Sequence, residues 1–127
     1  MKLHLDRSSQ LLVSSYGSDH VTVGAVRYTN SLIITPREVF TEWPAVSFEA
    51  LQPSHFERLA ELRPGLVVLG TGQRLRFPSP STLAPLYAAG IGVEVMDLHA
   101  ACRTYNILAG EGRDVAAALL IESPGAA

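Results

Sequence analysis

The chain has 127 residues, 47% of them hydrophobic and 17% charged, with ten basic against twelve acidic residues and a net charge of −2. That length makes one domain, able to bury roughly two-thirds of its unfolded surface without disulfides or metal. The composition excludes disorder as the main state, and the balanced charge argues against a dedicated nucleic-acid or anionic-membrane surface.

Cys102 is the single cysteine, which excludes an intramolecular disulfide and any multi-cysteine metal site and suits a reducing, cytoplasmic compartment. No apolar run nears the roughly 18 residues of a transmembrane helix. The Met1–Asp6 start has no long apolar stretch and does not read as a signal or transit peptide. Lys2 is the one lysine among the ten basic residues. Coding bias explains this, unless arginines converge where carboxylate or phosphate must be gripped bidentately.

The first half reads as short strands. Leu11-Leu12-Val13 leads to a Gly17-Ser18-Asp19 turn, and His20-Val21-Thr22-Val23 follows with β-branched alternation. Gly24 breaks or bulges that run before Val26-Arg27-Tyr28; Leu32-Ile33-Ile34-Thr35 is a further strand stopped by Pro36. Turn signals this close together predict antiparallel pairing. Val39 to Trp43 fits either an edge strand or a loop with exposed aromatics.

From Pro53 the pattern changes. Ser54 and Glu57 have capping-box spacing ahead of a helix through Phe56, Leu59, Ala60 and Leu62, stopped at Pro64-Gly65. Leu66-Val67-Val68-Leu69 is a continuous apolar run of buried-strand type that ends at Gly70-Thr71-Gly72. A second helix is expected from about Ser81 or Thr82, with Pro85 in or near its first turn and Gly90 as its stop. Ile91 to Met96 is another buried strand, and Asp97 caps a helix running to Ala109 or Glu111. Val115 to Ile121 is apolar throughout and fits strand or helix, its length favouring a last strand apolar on both faces, and 122–127 reads as a frayed tail. Strand–helix–strand–helix–strand from Leu66 to Ile121 is the pattern of an α/β fold with a parallel pair. Residues 1–121 are therefore expected to form one α/β domain with a β-rich N-terminal layer.

Candidate chemistry concentrates in two places. The Gly70-Thr71-Gly72 turn follows a strand, where α/β proteins tend to bind ligands. It lacks the third glycine of a dinucleotide fingerprint and the Gly-Lys-Ser/Thr of a phosphate loop. It is either a tight turn or a backbone nest for a small anion, with Arg74 and Arg76 alternating onto one side if extended. On the helix from Asp97, the residues Leu98, Ala101, Cys102, Tyr105 and Leu108 form an apolar face. His99, Arg103 and Asn106 form a separate polar stripe. That stripe is a solvated face, a binding surface, or, at Asn106, a staple to a neighbouring loop. Cys102 near a helix N-terminus has the position of an activated thiol but lies on the apolar face, where thiols are inert. His4, His20, His55 and His99 lack ligand spacing, so no metal is expected. Glu111-Gly112-Arg113 is expected to close the helix with a salt bridge.

Val93-Glu94-Val95-Met96-Asp97, Ala101-Cys102-Arg103-Thr104-Tyr105-Asn106-Ile107-Leu108, Glu111-Gly112-Arg113 and Val115 to Leu119 together carry a resemblance. With Val67 to Gly72, they resemble an uncharacterised family. It includes mitochondrial complex I assembly factor 3, an adipogenesis-associated relative in animals, and small bacterial and archaeal proteins. The resemblance implies a bacterial member with a three-layer α/β fold on a central mixed sheet, its last strand running against its neighbours. It implies no known enzymatic activity, no cofactor and, for the mitochondrial member, respiratory-complex assembly through protein contacts.

The leading expectation is a non-enzymatic interaction or assembly module whose partner is another protein, with self-association open. The rival is a small-anion-binding protein or enzyme, with its site where Gly70-Thr71-Gly72 meets Asp97 and with donors from Arg74, Arg103, Thr104 and Asn106. Glu111 and Arg113 complete the candidate set.

Overall fold

The computed structural model describes residues 10–122. In chain order the elements are β1 (Val13–Tyr16), β2 (Val21–Val23), β3 (Val26–Tyr28), β4 (Leu32–Ile34), β5 (Val39–Phe40) and α1 (Pro53–Glu61). They continue with β6 (Leu66–Gly70), α2 (Pro80–Ala88), β7 (Gly92–Met96), α3 (Leu98–Gly110) and β8 (Val115–Leu119). β1-β2-β3 form an antiparallel sheet. Gly24, at φ +61, takes the first position of the two-residue turn between β2 and β3, so it turns a hairpin and does not bulge one strand.

The central sheet is mixed, in the order β5-β4-β8-β6-β7. β6 is parallel to both β7 and β8, while β8 is antiparallel to β4. The last strand therefore opposes only one of its two neighbours, which corrects the resemblance-based expectation. The geometry follows from crossovers of one hand: stepping to either side of β6 puts the connecting helices on opposite faces. α2 accordingly shares one core with α1, and α3 shares the other with β1 and β2. The result is a three-layer α/β domain with a β-rich N-terminal layer beside α3.

Two-residue periodicity divides the core. Val67, Leu69, Ala116, Ala118 and Leu120 face α1 and α2, where Trp43, Phe56, Leu59, Leu83 and Leu86 pack. Val68, Ala117, Leu119 and Ile121 face α3, meeting Leu98, Ala101, Cys102 and Tyr105. The whole of Val115 to Ile121 is buried, as a strand apolar on both faces requires.

Local expectations needed correction where tertiary partners took over. Trp43 is not an exposed loop aromatic: it is buried, stands edge-on to Phe56, and donates its Nε1–H to the His55 carbonyl at 3.0 Å. Only Val39–Phe40 of that segment pairs, as an edge strand. α1 starts at Pro53 with Gln52 as N-cap, so Ser54 and Glu57 form no capping box. Instead the Gln52 N–H donates to His55 Nδ1 and the His55 N–H to the Gln52 carbonyl, both at 3.0 Å. Burial holds the His55 imidazole below its usual pKa, which keeps that nitrogen an acceptor. At the other end Arg63, at φ +52 in the left-handed region, closes the helix ahead of the expected Pro64-Gly65 stop. Gly65 serves close approach, since a Cβ there would lie 3.2 Å from the Asp114 carbonyl oxygen. α2 begins at Pro80, and Pro85 falls in its second turn. The N–H that Pro85 lacks costs the helix one bond, to the carbonyl of exposed Ser81. Gly90, at φ +74, ends that helix. Glu122, expected in the tail, is anchored, and 123–127 lie outside the described residues.

Candidate functional site

The C-terminal ends of β6 and β7 lie side by side, with Gly70 in register with Met96. This brings Gly70, Thr71, Gly72 and Asp97 together. Gly70 lets α3 seat closely, because a Cβ there would come within 2.9 Å of Ala101 Cβ and 3.3 Å of Leu98 Cα. Thr71 is fully buried. Its N–H donates to the Met96 carbonyl at 2.9 Å, and its hydroxyl donates to the Arg74 carbonyl at 2.7 Å and accepts the Arg76 N–H at 3.1 Å. The Gly72 carbonyl receives the Leu98 N–H at 2.7 Å. Asp97 caps α3 by accepting the Ala100 N–H at 2.9 Å. These candidates are placed as turn and cap residues.

The inner side of the turn is occupied by the chain's own carboxylate. Glu122 Oε1 lies 3.0 Å from where a Gly72 Cβ would stand. Arg76 NH2 donates to Glu122 Oε1 at 2.8 Å and to the Thr71 carbonyl at 2.6 Å. Glu122 Oε2 accepts the Phe48 N–H at 2.8 Å. The guanidinium lies over the Phe48 ring at 4.8 Å and 3.6 Å from Glu49, while its buried Nε has no partner among the described residues. Arg76 and Glu122 thus tie three loops that are far apart in sequence. Arg74, the expected donor, is exposed and contributes only its carbonyl.

The polar stripe of α3 does not reach this turn. It is a seam to the N-terminal sheet. Asn106 brackets Val13, accepting its N–H at 2.8 Å and donating to its carbonyl at 2.7 Å. Arg103 donates to the Tyr16 hydroxyl at 3.2 Å, and His99 Nε2 lies 3.1 Å from the Gly17 carbonyl. Tyr105, from the apolar face, adds a bond from its hydroxyl to the Leu11 carbonyl at 2.8 Å. Thr104 is half-buried beside them. Cys102 is fully buried, and burial pushes its thiol pKa up to about 12. Glu111 and Arg113 sit at the far end of α3. No ion pair joins them among the described residues. The helix closes instead through the Arg113 N–H to the Leu108 carbonyl at 3.0 Å, with Gly112 at φ +81.

The residues that the sequence alone did not single out are apolar and outward-facing. Leu75 and Phe77 flank the inward-turned Arg76 and are 51% and 70% exposed; Val46 is 65% exposed. Phe77 and Pro78 border a cleft of about 330 Å³ together with Phe48, Glu49, Leu51 and Thr82. Alternation around Arg76 was the available signal. An extended Leu-Arg-Phe with Arg inward must turn both neighbours out.

The chain is 35% identical to the Bos taurus NADH dehydrogenase (ubiquinone) 1 alpha subcomplex assembly factor 3, over 95% of its own length and 67% of the relative's. The Mus musculus protein of that name is 34% identical over 89% of the chain and 61% of its own length. A Francisella tularensis protein named 13 kDa major membrane protein is 26% identical over 73% and 76%. A crystal structure of a Bordetella parapertussis protein superposes with a TM-score of 0.83 at 36% identity, over 90% of this chain and 98% of that one. A Xanthomonas campestris structure gives 0.79 at 40% identity, over 87% and 84%. Among the described residues no helix is long and apolar enough to cross a membrane. Residues 13–120 match the family described as protein of unknown function (DUF498/DUF598), and the chain belongs to that family.

Proposed function

We propose that this protein is a non-enzymatic interaction or assembly module that docks another protein through the Leu75–Pro78 loop. One observation carries the reading. The polar candidates are spent on the fold, as turn, cap, seam and clamp, while Leu75, Phe77 and Val46 stay outside the core. Phe77, exposed at the border of a cleft of about 330 Å³, suits a docking anchor better than a small-molecule site. The relation to proteins named as assembly factors supports the same reading. We take the cytoplasm as its compartment, where a lone thiol remains reduced.

The test is a photoreactive residue in place of Phe77, with one at exposed Arg103 as control, in the native host. A specific adduct at 77 that is absent at 103 is expected. Phe77→Ser should keep the melting curve and lose the partner. Equal labelling at both positions overturns the reading.

A further inference from the structure

β7 is the outer strand of the central sheet, and among the described residues only β6 pairs with it. Its register is unbroken over five residues, from Leu66 opposite Gly92 to Gly70 opposite Met96, with no bulge and no proline. The direction of its ladder follows from two bonds. The Met96 carbonyl accepts the Thr71 N–H, so Gly92, Glu94 and Met96 turn their backbone groups towards β6. The Leu120 N–H to the Gly70 carbonyl, on the other side of β6, has the parity this requires. The N–H and C=O of Val93 and of Val95 therefore point away from the sheet. A straight edge of this length presents a template for another strand unless something blocks it.

The side chains say which strand would fit. Val93 and Val95 are half-buried at the margin of the core under α1 and α2, while Met96 belongs to the α3 face. Alternation puts exposed Glu94 on the α3 face with Met96. A second copy is a poor occupant. The two-fold antiparallel register that uses all five residues sets the two Glu94 side chains directly opposite. They would form a non-hydrogen-bonded pair, the closer of the two pair types, and like charges there are destabilising. A lysine or arginine at that position reverses the sign, and apolar residues on either side of it would extend the Val93–Val95 margin.

We propose that the outer edge of β7 accepts a sixth strand: an extended segment of a partner protein with a basic residue opposite Glu94 and apolar residues flanking it. The proposal rests on the interaction reading and names a second contact for it. The edge adjoins the 71–79 loop where Thr71 meets Met96. Main-chain bonds would supply affinity and the alternate side chains specificity.

The probe is the peptide acetyl-Ser-Thr-Val-Lys-Val-Thr-Ser-amide, with a counterpart carrying Glu for Lys, added to the full ¹⁵N-labelled chain. At saturation the Val93 and Val95 amides, fast to exchange in the protein alone, should slow by at least about tenfold. The Glu peptide should bind at least about threefold more weakly, and Glu94→Lys should invert the preference. Three results overturn the proposal: no protection at those amides, equal binding of both peptides, or amides already slow without peptide. Val93→Pro removes an outward N–H while sparing the ladder to β6 and should abolish protection; Glu94→Lys tests the same edge without touching the backbone. If the Phe77 adduct forms and survives both variants unchanged, the edge proposal falls and the interaction reading stands. If no adduct forms at Phe77 at all, the interaction reading falls, and the peptide protection decides the edge alone.

Discussion

Asn106 shows how a single polar side chain in a helix can serve a neighbouring strand. Its amide supplies one acceptor and one donor to the same residue, Val13, and so replaces the ladder partner that β1 lacks there. Asn106→Ala should strand both groups of Val13 and cost about 1–3 kcal/mol in a urea melt. Arg103→Ala should leave the melt unchanged, because that side chain is exposed and its bond to Tyr16 competes with water. An unchanged Asn106→Ala melt would refute the seam. Cys102 gives the second residue-scale expectation. Opposed effects meet at its sulfur: burial disfavours the thiolate, while Arg103 and the nearby helix N-terminus favour it. Burial is first among the causes and sets the direction. The thiol should therefore resist alkylation at neutral pH in the folded protein and react at once in denaturant. Rapid native labelling would show that the helix end prevails.

At the scale of elements, the clamp of Arg76 on Glu122 decides where the 71–79 loop lies. Removing Glu122 leaves the Phe48 N–H and one guanidinium nitrogen without a carboxylate; removing Arg76 leaves the carboxylate half-buried beside Gly72. Arg76→Ala and Glu122→Ala should each destabilise the fold, and the double variant should cost less than their sum by about 0.5–3 kcal/mol. Strict additivity in denaturant melts would show the ion pair to be incidental. α3, its Asp97 cap, the buried strands and the Gly90 stop were legible because each depends on residues within a turn of one another. The cap of α1 was misread because Ser54 and Glu57 have the right spacing, yet Pro53 fits the first helical position and moves the boundary to Gln52. Arg76 with Glu122, 46 positions apart, and Trp43 with His55 have no local signature. Of the candidate site, the turn and the helix start came together as expected. Arg103 and Asn106 did not join them, since 3.6-residue periodicity gives a face without saying what lies opposite.

In the whole molecule, the two readings of function differ over what the parallel-strand edge of the sheet holds. The topology is the kind that binds anions: two parallel strands end together, a glycine turn follows one, and a helix starts after the other. In this chain that place is filled. The Gly72 carbonyl accepts the first helical N–H, Asp97 takes another, and the Glu122 carboxylate lies against the inside of the turn in the grip of Arg76. An added anion would have to displace a tethered one, and a tethered group has the higher effective concentration. Inorganic phosphate, acetate and nucleotides should therefore leave the melting temperature unchanged. A true ligand at about 100 times its Kd would add roughly 2.7 kcal/mol, a shift of several degrees for a domain of this size. The control is Glu122→Ala, which removes the tethered carboxylate and keeps the Arg76 guanidinium, with its own acceptor at the Thr71 carbonyl, as a donor. Phosphate that stabilises the variant but not the parent would mean the seat is an anion site closed by its own chain. Phosphate that stabilises the parent would revive the anion-binding alternative, because the Glu122 carboxylate would then have to yield to an ordinary solute.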